Sequence, residues 1–211
     1  MPKQKIIPIL NKLRKLYPGA HCELFHNSAY QLLIATMLSA QCTDKRVNLV
    51  TPELFNQAPD AASMLKLGYD EVSKMIKSCG FFQTKAQNII KTSELLLQKY
   101  NGEVPKTESE LVALPGVGRK TANVVLYNAF GIQTIAVDTH VFRVSQRLGL
   151  AKGKTPDQIE TQLTKIIPKK YWGEAHHLFI FHGRYHCTAR KPKCETCPLT
   201  KECDFWSKPK S

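Results

Sequence analysis

The last stretch of the sequence places four cysteines as Cys187-x6-Cys194-x2-Cys197-x5-Cys203, while Cys22, Cys42 and Cys79 stand singly far upstream. Thiolates are soft ligands that select iron–sulfur clusters or zinc. One C-x2-C pair flanked by longer arms is unlike a zinc ribbon, which sets two such pairs opposite each other, so the spacing favours a four-iron cluster over zinc. Two disulfides are the alternative. An odd total of seven cysteines and an N-terminus without the apolar core of a secretory signal argue against them.

At 211 residues, 43% of them hydrophobic, the chain can form one large domain or two small ones with a packed core. No apolar run reaches the roughly 18 to 20 residues that cross a bilayer, and the basic N-terminus (Lys3, Lys5, Lys12, Arg14, Lys15) has no uninterrupted apolar stretch. The expectation is a cytoplasmic protein without a membrane partner. Thirty Lys and Arg against 17 Asp and Glu leave a net charge of +13, the electrostatic footprint of a nucleic-acid binder. A solvated basic surface can also serve solubility or anionic lipid, although no basic amphipathic helix stands out.

Apolar positions recur at helical spacing along almost the whole chain, and alternating runs rich in Val, Ile and Thr are missing, so the fold is expected to be all-α. Ser28 with Gln31 and Thr107 with Glu110 read as capping boxes. Thr155 followed by Pro156 and Gln158 marks a third start, with proline at the first helical position. Gly80, Gly102, Gly131 and Gly149 read as helix stops. There is no internal repeat and no polar linker. The joint between two tightly packed domains is expected near Thr134 to Val137, an apolar extended segment.

The segment Leu114-Pro115-Gly116-Val117-Gly118-Arg119-Lys120-Thr121-Ala122 reads as a helix-hairpin-helix turn. Gly116 and Gly118 remove the side chains that would hold a phosphate away. The N–H groups at the next helix start can then bind a phosphate without reading a base. The plain alternative is an ordinary connection, since Pro-Gly pairs are common in turns. Arg119 and Lys120 directly after Gly-x-Gly on a basic chain favour DNA. Lys120 falls in the first helical turn beside Arg119. A lysine held partly uncharged is a nucleophile able to form a Schiff base with a sugar aldehyde. From the residues alone, a phosphate contact is an equal reading of it.

Asp138 opens Val137-Asp138-Thr139-His140-Val141-Phe142-Arg143-Val144, whose later apolar positions are helically spaced. It is expected to cap that helix by accepting N–H groups near residue 140. A carboxylate at such a point could also orient an amine or stabilise a cationic sugar. Nothing in the sequence shows that Lys120 and Asp138 meet.

The hairpin, the Val137–His140 segment and the cysteine spacing together resemble the endonuclease III family of bifunctional DNA glycosylases and abasic-site lyases. So do Leu38-Ser39-Ala40-Gln41-Cys42-Thr43-Asp44, Lys85-Ala86 before Ile89-Ile90, and His182-Gly183-Arg184-Tyr185 leading into Cys187. The resemblance spans nearly the whole chain. It implies the helix-hairpin-helix glycosylase fold: a six-helix domain at 22–133, a second helical domain from 1–21 with 134–211, and damaged double-stranded DNA between them. It implies that Lys120 attacks C1′ of a flipped, oxidised pyrimidine nucleotide with Asp138 assisting, and that β-elimination then cuts the strand. It makes Cys187, Cys194, Cys197 and Cys203 the ligands of one [4Fe-4S] cluster, chiefly structural, and Arg190, Lys191 and Lys193 phosphate contacts on the loop it shapes.

By the same resemblance Gln41 and the residue after Gly80 fill the gap left by the flipped base, with Gly116, Gly118, Arg119 and His140 also at the DNA. The wedge position holds Phe81, where an aliphatic residue, commonly leucine, is the family expectation. An aromatic ring can also part a base step, but Phe81 and Phe82 could instead both be core residues. His176, His177, His182 and His186 are expected to pack and hydrogen-bond rather than ligate, and Cys22, Cys42 and Cys79 to be buried thiols. The nearest rival is the related adenine-specific mismatch glycosylase, which uses water in place of a lysine. A cluster-stabilised DNA binder without catalysis is the rival from another class. The chain is expected to act as a monomer.

Overall fold

The computed structural model describes residues 2–207, and among these every regular element is helical. The described residues divide into two compact units, Glu23–Ile132 and Met1–Cys22 with Gln133–Ser211.

The first unit runs α2 (Ala29–Ser39), α3 (Asp44–Gln57), α4 (Ala61–Met75), α5 (Phe82–Tyr100), α6 (Glu108–Val112) and α7 (Arg119–Phe130). Its centre is α2, where Tyr30 to Leu38 are buried without a break, as a helix with no polar face must be. It packs along α7, α3 and α5, and α4 lies along α5. Ser28 caps α2 by accepting from Gln31 N. The return bond reaches one residue further back than a capping box, from Asn27 N–H to Gln31 Oε1 at 2.8 Å. Thr107 caps α6 and accepts from Glu110 N. A left-handed Gly131 (φ 69°) ends α7. Gly80 does not stop a helix as expected. It lies between α4 and α5, and its neighbour Phe81 takes the left-handed conformation (φ 56°) as the residue that opens α5.

The second unit runs α1 (Pro2–Leu16), α8 (Thr139–Arg147), α9 (Pro156–Ile166), α10 (Trp172–Tyr185) and a short α11 (Asp204–Ser207), with 3-10 turns through the cysteine region. Thr155 caps α9 with Pro156 at its first position. Ile6, Ile9, Leu10 and Leu13 of α1, Val141, Val144 and Leu148 at α8, Ile159 and Leu163 of α9 and Phe179 of α10 share one core. These positions follow the i, i+3, i+4, i+7 pattern that puts one face inward. Ile135, Ala136 and Val137 are buried and carry no regular structure, with Ile135 and Val137 in this core, and the Ala136 carbonyl receives His176 Nδ1 at 2.6 Å. Arg14 forks onto Glu174 at 2.7 and 2.6 Å. Lys12 binds Glu202 at 2.8 Å and Lys5 binds Asp204 at 2.6 Å, so α1 is fastened to the C-terminal segment.

Helices α8 and α10 touch where a side chain is missing. A Cβ on Gly183 would lie 2.8 Å from His140 Cβ. Gly183→Ala is therefore expected to force the helices apart at a loss of about 1–3 kcal/mol, seen as a lower unfolding temperature of the cluster-loaded protein. Unchanged melting would mean that the contact yields freely.

Candidate nucleic-acid interface and metal centre

The hairpin is anchored by the apolar residues on either side of Gly116. Leu114 and Val117 are buried at 2% and 5% exposure, and Val117 N–H closes the turn on Leu114 O at 3.1 Å. Buried Thr92 of α5 donates to Pro115 O at 2.9 Å. Gly116 lies at φ 76°, and a Cβ there would fall 2.7 Å from Asn88 Nδ2 and 2.9 Å from Asn88 Cβ. Only glycine satisfies both the backbone and the space. Gly118 caps α7 with no side-chain hydrogen bond, so the first N–H groups of α7 carry no side-chain partner from the cap. Lys120, the second helical residue, is exposed. Arg119 pairs with Glu108 of α6 at 2.9 Å, an exposed bridge worth little on its own.

Gln41, Phe81 and Gly116 line one pocket with Lys85 and Asn88. Gln41 and Phe81 are both left-handed, at φ 52° and 56°, a conformation uncommon away from glycine. Phe81 is 68% exposed and Phe82 half-buried, so neither belongs to the buried core. Lys85 sits under the pocket, buried, with Nζ on Leu38 O at 2.8 Å. Burial pushes its amine below the ordinary lysine range. Of the three upstream cysteines only Cys79 is buried. Cys22 and Cys42 are half-buried, because Cys22 lies ahead of α2 and Cys42 follows its end, each in a surface connection.

In the other unit, Asp138 caps α8. Its Oδ1 accepts from His140 N and Val141 N, both at 2.8 Å, which leaves Oδ2 out of the cap. His140 is half-buried, with Nδ1 3.2 Å from Arg143 Nη2. Burial holds its imidazole below the usual range despite the neighbouring Asp138.

Two arginines one turn apart on α8 then brace the cysteine region. Arg143 donates to Cys187 O at 3.1 Å and Gly183 O at 2.9 Å. Arg147 donates to Thr188 O at 2.7 Å and Ala189 O at 3.0 Å. Thr188 Oγ1 closes the loop onto Arg190 O at 2.8 Å. Arg190, Lys191 and Lys193 are all exposed, Lys191 at φ 51°. Neither arginine was singled out in the sequence, although their i, i+4 spacing after Asp138 is the available signal. Asn88 left none, because its contact is with residue 116.

Cys187, Cys194, Cys197 and Cys203 wall one cavity with His182 and His186. Among the described residues no three Cys, His, Asp or Glu side chains converge as ligands of a single ion. Four soft thiols around one cavity are a donor set that fits an iron–sulfur cluster. His186 Nε2 is buried in that wall with no hydrogen-bond partner, and a cluster sulfur is an acceptor of the kind it lacks. His182 Nε2 lies 3.8 Å from Cys197 Sγ.

Residues 34–169 match the family model described as HhH-GPD superfamily base excision DNA repair protein, and residues 187–203 match the iron-sulfur binding domain of endonuclease III. Endonuclease III of Escherichia coli (strain K12) is 49% identical over 208 residues, covering 99% of both chains. The chain belongs to the endonuclease III family.

Two solved structures support the assignment, a non-covalent endonuclease III–DNA complex (TM-score 0.93) and a trapped endonuclease III–DNA covalent intermediate (TM-score 0.92). Each is 49% identical and covers 97% of this chain and 96% of its own. As a member of this family the chain is a base-excision repair enzyme, a DNA glycosylase and abasic-site lyase of all-α helix-hairpin-helix fold with one [4Fe-4S] cluster and DNA as partner. Among the described residues no helix is long and apolar enough to cross a membrane.

Gly116→Ala in this endonuclease III relative is expected to cost about 1–3 kcal/mol and to weaken duplex binding, through both its backbone and the Asn88 clash. Adding Asn88→Ala should restore only the part due to the clash. Full recovery in the double variant, read by melting, would show that the left-handed backbone imposes no penalty.

Proposed function

We propose that this enzyme excises oxidised pyrimidines from damaged double-stranded DNA with Lys120 as nucleophile, acting as a monomer in the cytoplasm. The observation that carries the reading is the start of α7: an exposed lysine in the first turn of a helix whose cap, Gly118, supplies no side chain. Backbone N–H groups there can hold a phosphate beside the sugar that the amine attacks.

The reaction balances through these residues. Lys120 Nζ forms a bond to C1′ as the bond from C1′ to the base breaks, and the base departs with a proton. Opening of the sugar ring gives the Schiff base. Loss of a proton at C2′ then expels the 3′ phosphate. Asp138, with Oδ1 engaged in the cap, offers Oδ2 to take the lysine proton and to stabilise positive charge on the sugar. Gln41 and Phe81, exposed on one pocket with Gly116, fill the vacancy of the flipped nucleotide. Arg119 and His140 complete the DNA contacts. Cys187, Cys194, Cys197 and Cys203 hold the cluster, which when bound fixes the loop bearing Arg190, Lys191 and Lys193 against phosphates.

Borohydride trapping on a duplex carrying thymine glycol tests the nucleophile. The natural protein should give a covalent adduct and Lys120→Gln none, with duplex affinity retained. Asp138→Asn keeps an N-cap of equal rank, so it should fold normally while adduct formation slows by about 100-fold or more, in the range of a lost acid–base group. Strand cleavage by Lys120→Gln would overturn the assignment.

Replacing Arg190, Lys191 and Lys193 with alanine removes three cations from the loop. The slope of log affinity against log salt should fall by about 0.9 for each phosphate that these cations neutralise. An unchanged slope would show the loop to be away from the duplex.

A further inference from the structure

Helix α10 ends in two histidines one turn apart whose rings the repair reaction does not use. His182 and His186 stack with centroids 5.3 Å apart and planes 13° from parallel. Their backbone is fixed at the helix end. His186 N–H closes on His182 O at 3.0 Å, Cys187 N–H binds the same carbonyl at 2.7 Å, and His186 O accepts from Lys193 N–H at 3.1 Å. Both histidines line the cavity walled by the four cysteines. His182, 1% exposed, has Nε2 3.8 Å from Cys197 Sγ. Its Nδ1 lies 3.3 Å from the hydroxyl of Tyr17, the residue after α1. His186 Nε2 is buried without a partner, a state that native folds rarely keep.

We propose that His182 and His186 are paired hydrogen-bond donors to the sulfurs of the iron–sulfur cluster, that Tyr17 sets the proton on His182, and that the pair raises the cluster's one-electron reduction potential. The inference rests on the reading of Cys187, Cys194, Cys197 and Cys203 as the ligands. A ligating thiolate only accepts, so His182 Nε2 carries the ring proton that binds Cys197 Sγ. A buried imidazole kept neutral then has Nδ1 as its acceptor, and the Tyr17 hydroxyl donates to it. The donors run in one direction, from Tyr17 through His182 to sulfur. His186 brings a second Nε2 on a ring almost parallel to the first, and a cluster sulfur supplies the acceptor that the protein does not.

Each such bond stabilises negative charge on sulfur. The reduced cluster carries one more electron than the oxidised one, so the donors favour it and the potential rises. His182 and His186 Nε2 are both out of contact with water, and the low local dielectric strengthens the effect. Arg147 Nη1 also lies 3.4 Å from Cys187 Sγ. The same guanidinium holds the loop carbonyls, so the histidines are the donors whose loss separates potential from structure.

The full cluster-loaded chain would be titrated electrochemically as the natural protein, His186→Phe, His186→Gln and Tyr17→Phe, with iron and sulfide content and melting measured on each. Phenylalanine keeps a flat ring against His182 and removes the donor. In His186→Phe the potential should fall until the oxidised-to-reduced ratio at a fixed potential is about tenfold higher, which for one electron is about 59 mV. His186→Gln, whose amide nitrogen takes the place of Nε2, should recover most of the natural value, and Tyr17→Phe should lower the potential by less than His186→Phe. An unmoved potential in His186→Phe at natural cluster content, or an equal fall in His186→Gln, would overturn the donor role of His186. An unmoved potential in Tyr17→Phe would overturn the part given to Tyr17. Where His186→Phe takes up no cluster, pulsed EPR of the reduced natural protein carrying isotope-labelled histidine decides: histidine nitrogen coupled to the cluster spin is expected, and no coupling would overturn the proposal. Failure of the ligand reading shows separately, as Cys197→Ala keeping the natural iron content and visible spectrum.

Discussion

Asn88 occupies the space that a side chain on residue 116 would need, and the hairpin is shaped by that exclusion. With Cβ positions 2.7 to 3.0 Å from three Asn88 atoms ruled out, residue 116 turns left-handed against α5 while Leu114 and Val117 stay in the core. Thr92 fastens the same turn through Pro115 O. The chain then leaves at Gly118, and α7 begins without a capping side chain. A surface suited to phosphate follows from how tightly the turn is packed from beneath, and the exposed Lys120 inherits its place from the same turn.

Several basic side chains serve the fold itself. Lys5, Lys12 and Arg14 are paired with carboxylates in their own unit. Arg143 and Arg147 direct their forks at backbone carbonyls around Cys187 to Ala189, a role that needs several donors in a fixed plane and that lysine would not fill. Arg190, Lys191 and Lys193 remain exposed because Arg147 and Thr188 hold the intervening carbonyls inward.

The helix starts at Ser28, Thr107 and Thr155 were legible because a cap is a contract between residues three apart. The same locality made Asp138 readable as a cap and the cysteine spacing readable as a cluster site. The stop expected at Gly80 failed for the opposite reason: the left-handed residue is Phe81, which no propensity favours and which the loop touching Gln41 imposes. The expectation of three buried upstream thiols held only for Cys79, since burial depends on what lies over a loop.

The sequence by itself determined that the chain is helical, where several helices start, that a glycine hairpin precedes a lysine and that four thiols could share one cluster. Each of these is a relation between residues close along the chain. Only the tertiary structure decided that Gln41, Phe81, Asn88 and Gly116 line one pocket, and that Arg143 and Arg147 carry the loop before Cys194. Those contacts join residues tens of positions apart, and packing of whole helices sets them.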